Sequence, residues 1–471
     1  MLRLSVGNIF TMVAGDETSI VSDILSYRDR SAEHAARYLK RKRGNAQQWD
    51  GLKSFFDRKE SRFLSGLTEK VTEALKLRGV PFTIQDMRVK PELPSAAGDF
   101  SLKGIELRHY QKRTIKEFLV ARRGVARLAT GAGKTEVAIA ITKGLRLPTL
   151  FLTHRVNLLT QTAKRYASRC PELADQIGIL GGGITEPKLV TIATVQTLYS
   201  LVKKNPKQMA EFLAQFKFLI IDEAHRSGAK QFYLPSMLCR NAYYRLSLTA
   251  TPFMSGDDEA DMYLMGTTGP IVTTVTNGEL IAQGVLARPM FKFFTITEPN
   301  LKSFSNWRDI YERGIIYNVQ RNTLIAQQAA KLTDMGCRIL VICREVAHTA
   351  ILHELLVEAG VRVEVCNGDK DYHERDKALE RMAKGRIDAL VCTNIFDEGI
   401  DVGEINAVIL AAGTKSAPAL FQRTGRAIRK KADGENYAIV IDFIDETHRI
   451  LSEHSWQRYN LVRSEAGFTI I

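Results

Sequence analysis

The chain has 471 residues, of which 45% are hydrophobic and 25% are charged. This length exceeds what one hydrophobic core usually serves, so about three domains are expected. The composition excludes a disordered chain, and the lack of any apolar run near the ~18–20 residues that cross a bilayer excludes a membrane-spanning one. The net charge of +14 indicates a polyanionic partner, with nucleic acid as the first candidate.

The cysteines indicate a reducing compartment, and we expect the protein in the cytoplasm. There are six of them, scattered along the chain without the paired spacing of zinc ligands. The segment Leu2–Ala14 resembles a signal peptide at first sight. Because Arg3, Asn8 and Thr11 interrupt it and Asp16 follows it, we interpret Leu2–Val13 as a buried first strand.

Residues 1–98 predict a small α+β module that ends in a Pro/Ser/Gly-rich linker. A polar helix that Ser31 can cap contains the basic run 37–43, and the aromatic residues Tyr38 and Trp49 lie in or near it. Such a run can follow a nucleic-acid backbone, or it can simply be the solvated face of a helix. The candidate contacts are Lys40, Arg41, Lys42 and Arg43. A second, amphipathic helix is predicted over Leu64–Leu77.

The stretch Leu128–Lys143 predicts a phosphate-binding loop between a strand and a helix. Glycines allow backbone N–H groups to converge on phosphate oxygens, and the helix N-terminus adds partial positive charge. Lys134 is placed to reach the β- and γ-phosphates, and the Thr135 hydroxyl to bind Mg²⁺. Leu128 stands where the general motif has a small residue, so a plain glycine turn before a core helix remains the alternative. The loop residues are Thr130, Gly131, Ala132, Gly133, Lys134 and Thr135.

From about Leu102, strands and helices alternate, which is typical of a parallel sheet covered on both faces. Ligands of such sheets bind beyond the carboxyl ends of the strands. Asp222 and Glu223 directly follow the apolar run Phe218–Ile221. Asp222 is therefore a candidate Mg²⁺ ligand, and Glu223 is a candidate base that deprotonates the attacking water.

A second strand and helix series follows, without a lysine-bearing glycine loop of its own. Its predicted strands are Arg338–Cys343, Val361–Cys366, Ile387–Thr393, Ile405–Ala411 and Tyr437–Phe443. Between the two series the sheet pattern lapses around residues 284–304, and Asn306–Lys331 predicts a helical connector. We expect an α/β protein with two parallel-sheet domains and one nucleotide held between them. The predicted boundaries are 1–98, 99–288, a connector 289–325, and 326–471.

Arg426 and Arg429 are candidate arginine fingers. Triphosphate hydrolysis concentrates negative charge that needs a cation from outside the loop, and residues three apart share one face of a helix. A solvated helix face is the alternative.

The phosphate loop and the Asp222-Glu223-Ala224-His225 sequence resemble motifs I and II of superfamily 2 helicases. Further stretches resemble other motifs in the expected order. These are Leu107–Gln111 for the adenine-contacting segment, Leu152–Arg155 and Thr194–Thr197 for motifs Ia and Ib, Ser247–Pro252 for motif III, Cys392–Asp401 for motif V, and Gln422–Arg429 for motif VI. The resemblance is strongest to the UvsW type of phage recombination helicase, which carries a DEAH-box motif, two RecA-like domains and a small N-terminal domain.

The resemblance implies roles for particular residues. Arg108, Gln111, Gly399 and Asp401 are implied to contact the nucleotide, and Gln422 to join the catalytic set. The implied strand contacts are His154, Arg155, Thr194, Gln196 and Thr393. The implied cofactors are ATP and Mg²⁺, and the implied partner is single-stranded or branched DNA, bound by a monomer.

The resulting hypothesis is an ATP-dependent DNA helicase or translocase active in recombination, replication or repair, located in the host cytoplasm if it is phage-encoded. Three alternatives stay open: an RNA helicase, a duplex translocase that does not separate strands, and a binding module that uses ATP only as a switch.

Overall fold

The computed structural model describes residues 1–28, 51–223, 229–252, 258–366, 372–393, 405–414 and 436–471. The chain forms two compact units. One consists of Met1–Leu128 and Gly133–Thr274, and the other of Ala129–Ala132 and Val275–Ile471. Among the described helices, none is both long and apolar enough to span a membrane.

The N-terminal residues form a four-stranded sheet of their own, in the order β5-β2-β1-β6. The predicted single strand Leu2–Val13 is wrong. The N–H of Gly7 donates to the carbonyl of Phe10 at 3.0 Å, and this turn splits the stretch into an antiparallel hairpin. The elements are β1 Leu2–Val6, β2 Phe10–Ala14, α1 Thr18–Ile24, β3 Ser26–Arg28, β4 Leu52–Ser54, β5 Arg62–Leu64, α2 Thr68–Leu77 and β6 Phe82–Asp86.

The N-terminal sheet belongs to the same compact unit as the first large sheet. Its hydrophobic core includes Met262, and Tyr233, Met237, Tyr263 and Met265 pack against that core. These residues come from two helices that follow the strands bearing Asp222 and Thr249. The N-terminal sheet is therefore packed onto elements that begin close to the carboxyl edge of the large sheet.

The first large sheet has eight strands in the order β10-β9-β11-β8-β12-β13-β7-β14. Its central strands are buried along their length because helices cover both faces, as the continuous apolar runs predicted. The strands are β7 Arg123–Leu128, β8 Thr149–Thr153, β9 Ile177–Gly181, β10 Ile184–Glu186, β11 Val190–Thr194, β12 Phe218–Asp222, β13 Tyr244–Thr249 and β14 Ile271–Val275. The helices are α3 His109–Ala121, α4 Lys134–Leu145, α5 Val156–Arg169, α6 Val195–Lys204, α7 Pro206–Leu213, α8 Ala229–Leu238 and α9 Asp258–Thr268.

The second large sheet has seven strands in the order β17-β18-β16-β19-β20-β15-β21. All six pairs of neighbouring strands are parallel. Around its core lie α10 Asn277–Ala282, α11 Trp307–Tyr311, a π-helical turn Glu312–Ile316, α12 Val319–Asp334, α13 Val346–Glu358, α14 Tyr372–Ala383 and α15 Arg449–Ser464. The strands are β15 Arg288–Ile296, β16 Ile339–Ile342, β17 Val363–Cys366, β18 Ala389–Cys392, β19 Ala407–Leu410, β20 Tyr437–Asp445 and β21 Thr469–Ile470.

The predicted lapse of the sheet pattern around residues 284–304 is wrong. Arg288–Ile296 is a nine-residue strand that pairs along its whole length with Tyr437–Asp445. The stretch expected to be a connector therefore begins with a strand of the second sheet. Arg288 and Lys292 lie on the exposed side of this strand. Because these charges interrupt the apolar run, the sequence does not show the continuous hydrophobic pattern of a buried parallel strand.

Candidate functional site

The predicted phosphate loop lies between β7 and α4. Gly131 and Gly133 have φ angles of 88° and 80°, which side-chain-bearing residues rarely adopt, and α4 begins directly after them at Lys134. Leu128 is the last residue of β7 and is fully buried. The residue that departs from the general motif thus belongs to the strand, and the two glycines shape the turn that leads into the helix.

Gln111 lies against this loop. Its side-chain oxygen accepts a hydrogen bond from the N–H of Arg108 at 2.9 Å, which holds the first turn of α3. A Cβ atom added to Gly133 would come within 2.4 Å of the Gln111 amide nitrogen, so the Gln111 side chain lies directly on the loop, and the φ of 80° at Gly133 favours glycine there. Arg108 is exposed and donates to the Tyr110 hydroxyl at 3.2 Å. Two residues predicted to contact the nucleotide are thus placed at the start of one helix, beside the loop.

Lys134 and Glu223 form an ion pair at the carboxyl edge of the first sheet, with 2.7 Å between Nζ and Oε1. The two side chains are only 14% and 15% exposed. Residues 89 positions apart in the sequence are thereby brought together, because β7 and β12 end at the same edge of the sheet. The lysine of the loop and the predicted base belong to one site.

The backbone of Glu223 has a φ of 48°, in the left-handed region that non-glycine residues seldom occupy. Its N–H donates to the carbonyl of Leu248 at 2.9 Å and to Oδ1 of Asp222 at 3.1 Å. Such strain persists where the surroundings enforce it, and it is common at functional sites. The bond to Leu248 also ties the motif II turn directly to the motif III strand β13.

Asp222 ends β12, and burial raises the pKa of its carboxyl to about 7. The neighbouring Glu223 carboxylate raises that pKa further, whereas Lys134 and His154 lower it. A carboxylate in such surroundings gains from a nearby cation. No group of three or more acidic, histidine or cysteine residues that could hold a metal occurs in the described part of the chain. Mg²⁺ commonly uses one or two protein ligands plus phosphate oxygens, so Asp222 and Thr135 fit such an ion.

Two of the predicted strand-contacting segments lie side by side. The side-chain amide of Gln196 donates to the carbonyl of His154 at 3.0 Å. Thr194, in contrast, is buried and caps α6 by accepting a hydrogen bond from the N–H of Thr197. Its side chain thus positions the helix that carries Gln196. Arg155 lies at the start of α5, and Thr393 is buried just beyond β18.

The sequence reasoning missed the three glycines Gly181–Gly183, which form the turn between β9 and β10 with φ angles of 143°, 61° and 85°. A Cβ on Gly181 would lie 3.2 Å from the hydroxyls of Thr194 and Thr197, and one on Gly182 would lie 2.8 Å from Val156. The turn therefore packs against the first turns of α5 and α6. The run of three glycines was the available signal.

Two family descriptions match the chain and together cover more than half of it. Residues 104–254 match the type III restriction enzyme, res subunit, and residues 321–431 match the helicase conserved C-terminal domain. With the motif I and II geometry described above, these matches decide the family. The chain is a superfamily 2 helicase.

Relatives of this helicase include proteins named for action on DNA. It is 28% identical to the DNA 3'-5' translocase XPB2 of Sulfurisphaera tokodaii, over 72% of this chain and 82% of that protein. It is 26% identical to the ATP-dependent DNA helicase uvsW of Enterobacteria phage T4, over 73% of this chain and 69% of that protein. Its fold is similar to that of Dbp5 from S. cerevisiae (TM-score 0.55, 15% identity, 78% of this chain and 90% of that one). The predicted fold class, with two RecA-like domains, is confirmed.

Several predicted site residues of this helicase lie outside the described residues and stay predictions. They are Lys40, Arg41, Lys42, Arg43, Gly399, Asp401, Gln422, Arg426 and Arg429.

Proposed function

We propose that the protein is an ATP-dependent DNA helicase or translocase. The observation that carries this proposal is the partly buried ion pair of Lys134 with Glu223 beside Asp222, at the end of a glycine loop in a superfamily 2 chain. The relatives named for DNA translocation and unwinding support DNA as the polymer.

The chemistry follows from the side chains at the loop. Lys134 is an ammonium ion at the helix N-terminus and neutralises phosphate charge there. Because a bound γ-phosphate competes with Glu223 for this ammonium, ATP binding frees the glutamate to orient and deprotonate a water. Asp222 and Thr135 would hold Mg²⁺, which supplies positive charge to the phosphates. Gln111, whose side-chain amide lies against Gly133, would hydrogen-bond the adenine base.

We propose His154, Arg155 and Gln196 as the nucleic-acid surface. His154 and Arg155 directly follow β8, Gln196 lies in the first turn of α6, and the hydrogen bond from Gln196 to the carbonyl of His154 holds the two segments together. An overall charge of +14 favours binding to any nucleic acid, so it does not choose between DNA and RNA. Thr194 contributes by fixing the helix, and the basic run 37–43 is a further candidate contact.

One set of assays tests this function. ATP turnover is measured with single-stranded DNA, duplex, forked and four-way DNA, and RNA of matched length. DNA should stimulate turnover and RNA should not, whereas stimulation by RNA alone would make the protein an RNA helicase. ATP binding that changes DNA affinity, without any stimulated turnover, would instead identify a nucleotide-gated binding module.

Strand separation needs its own assay. A fluorescent forked duplex reports unwinding, and release of a third strand from a triplex reports movement along duplex DNA. Activity in the triplex assay alone would indicate a duplex translocase. We also propose branched DNA as the preferred substrate, a role in recombination, a phage origin, a monomeric state and a cytoplasmic location. These finer statements rest on the sequence resemblance to the UvsW type, including its DEAH-box motif.

A further inference from the structure

A cavity of about 310 Å³ lies within the first compact unit, where the N-terminal sheet meets the first large sheet. Its walls come from β1, β6 and α2 on one side and from β7 and β14 on the other. Protein pockets that bind small molecules have volumes of about 300–1,000 Å³, so a small ligand fits this space. The charged residues that line it are Glu69, Asp86, Arg88 and Arg123.

The cavity is separate from the phosphate loop. Arg123 is the first residue of β7, and Leu128, which directly precedes the loop, is the last. Five residue steps along a strand span about 17 Å. The cavity therefore lies at the amino edge of the first large sheet, whereas the nucleotide site lies at the carboxyl edge.

Arg123 is a buried charge without an acidic partner. The residue is 9% exposed, and its Nε and Nη2 atoms donate to the carbonyls of Thr268 and Thr267 at 3.2 and 3.3 Å. Its Nη1 atom makes no hydrogen bond to the described residues, and no carboxylate among them forms an ion pair with it. Buried charges in proteins are normally paired, so this guanidinium lacks a counterion.

The end of α9 offsets only part of the positive charge. Arg245, which is also buried, donates to the same carbonyl of Thr267 at 3.4 Å. The C-terminus of a helix carries about half of one negative charge, which is less than two guanidiniums require. Burial, with the charges of Arg245 and Arg88, lowers the pKa of Arg123 well below its ordinary value. An anion in the cavity would remove this destabilisation.

Arg88 lies on the opposite wall and is held in a fixed orientation. Its Nε and Nη2 atoms form a two-pronged pair with Asp86 at 2.8 and 2.7 Å, and its guanidinium lies 5.3 Å from the centre of the Tyr243 ring. The Nη1 atom makes no hydrogen bond to the described residues. The other acidic residue of the cavity, Glu69, is exposed, so solvent screens its charge.

We propose that this cavity binds a small oxyanion of the phosphate type, with Arg88 and Arg123 as its ligands. Two guanidiniums, each with a terminal nitrogen to spare, match the several oxygens of a phosphate group. Because Arg88 follows the N-terminal strand β6 and Arg123 begins β7, the anion would join the two sheets. This site is additional to the proposed ATPase and does not depend on it.

Inorganic phosphate is the probe, and Lys134→Ala is the background, because the phosphate loop also attracts phosphate. Isothermal titration calorimetry at constant ionic strength should show one saturable phosphate per chain. Adding Arg88→Met or Arg123→Met should weaken binding at least tenfold, the factor of one lost hydrogen bond to a charged group. Absence of saturable binding in the background, or unchanged affinity in the folded variants, would overturn the inference.

Asp86→Asn gives a change of opposite sign in the same background. It keeps both arginines but removes the carboxylate that competes for Arg88, so phosphate should bind about two- to fivefold more tightly, the range of a partly exposed ion pair. This variant keeps the proposal testable if Arg123→Met does not fold. Weaker binding in Asp86→Asn would contradict the assignment of Arg88 as a ligand.

Arg362→Met is the matched control for Arg88→Met. It removes the same charge and breaks a similar two-pronged pair, with Asp388 at 2.8 and 2.6 Å, in the second unit. Its phosphate affinity should equal that of the background, and an equal loss in both variants would show that only net charge matters. Forked DNA at saturation should leave phosphate binding unchanged. Displacement of phosphate by DNA would overturn the small-anion site in favour of a strand contact.

Discussion

At the scale of single residues, the position of Glu223 depends on its backbone as much as on its side chain. The left-handed φ turns the residue out of the strand direction of β12, and the bonds to Leu248 and Asp222 hold it there. Lys134 then fixes the carboxylate at the phosphate loop. The backbone of the proposed base is therefore already placed, and only its ion pair with Lys134 has to exchange when a phosphate binds.

Replacing Glu223 by glutamine should separate ATP binding from hydrolysis. The amide has the same shape but accepts no proton, so kcat should fall by about 10²–10⁴, the usual contribution of a general base. Bound ATP should accumulate, measurable by filter binding of labelled nucleotide. Glu172→Gln is the control, since Glu172 pairs with Lys143 instead. Turnover of Glu223→Gln at the parent rate would show that another group is the base.

His348 gives a pH-dependent contribution to stability. It is fully buried in α13, and burial lowers its pKa from 6.5 to about 3. The folded protein thus binds this proton more weakly than the unfolded chain does. The stabilisation is complete above pH 6.5 and is lost progressively as the pH falls towards 3.

The test is His348→Gln, which can still donate to Asn322 but does not titrate. Below pH 6 the parent should lose about 1.4 kcal/mol of unfolding free energy per pH unit relative to this variant. Urea unfolding of both proteins at pH 7.5, 6.5 and 5.5 measures the difference. A constant gap between them would show that His348 is not the responsible group.

Some of these residue-scale features were readable in the sequence, and others were not. Lys134 and Asp222 stand out because their chemistry requires a fixed local pattern, a glycine loop or a carboxylate that ends a buried strand. The φ of Glu223 and the hydrogen bond from the Tyr311 hydroxyl to the carbonyl of Ala412 depend on groups far apart in the chain. Tyr311 and Ala412 are 101 positions apart, and no local sequence pattern predicts the hydrogen bond between them.

At the scale of elements, the helix Asp258–Thr268 joins the N-terminal sheet to the nucleotide-binding strands. Arg123 of β7 donates to the carbonyls of Thr267 and Thr268, and Arg245 of β13 also reaches that of Thr267. Burial lowers the pKa of both guanidiniums, and the negative end of the helix dipole helps to offset their charge. The helix that carries the N-terminal sheet is thereby fixed to two strands that lead to motifs I and III.

The contact between Gly66 and this helix is the place to test the attachment. A Cβ atom on Gly66 would lie 2.0 Å from the carbonyl oxygen of Met265, which is backbone and cannot move easily. Gly66→Ala should therefore destabilise the fold by about 1–3 kcal/mol. Gly79→Ala meets nothing within 4 Å at a φ of 66°, so it should cost only about 1 kcal/mol of backbone strain. Equal losses in thermal unfolding would show that the close packing is not needed.

The sequence predicted the elements best where burial is complete. The five strands predicted for the second sheet have observed ends within two residues of the predicted ones. The strands β9, β10, β14 and β21 were not predicted. β15 and the N-terminal hairpin were missed because charges or a short Gly-Asn turn interrupt them. Their pairing is decided by partners elsewhere, such as β20 for β15, and a local pattern cannot show such a partner.

At the scale of the whole molecule, each compact unit has its own parallel sheet and its own buried polar network. The first unit contains the loop lysine, the acidic pair and the N-terminal sheet, and the second contains the buried ion pairs of Arg321 with Asp445 and of Arg458 with Asp442. The net charge of +14 gives the chain a general attraction for nucleic acid. The central claim is that the Lys134 site hydrolyses ATP in response to DNA.

The most direct measurement of this claim is steady-state ATP turnover by the parent protein and Lys134→Ala, with and without forked DNA, at several salt concentrations. We predict turnover that DNA stimulates in the parent, with a stimulation that weakens as salt rises, and none in the variant. Lys134→Ala should still bind DNA with the parent's affinity, and fluorescence anisotropy of labelled DNA measures this. Turnover in Lys134→Ala at the parent level, or a parent rate that DNA leaves unchanged, would contradict the account.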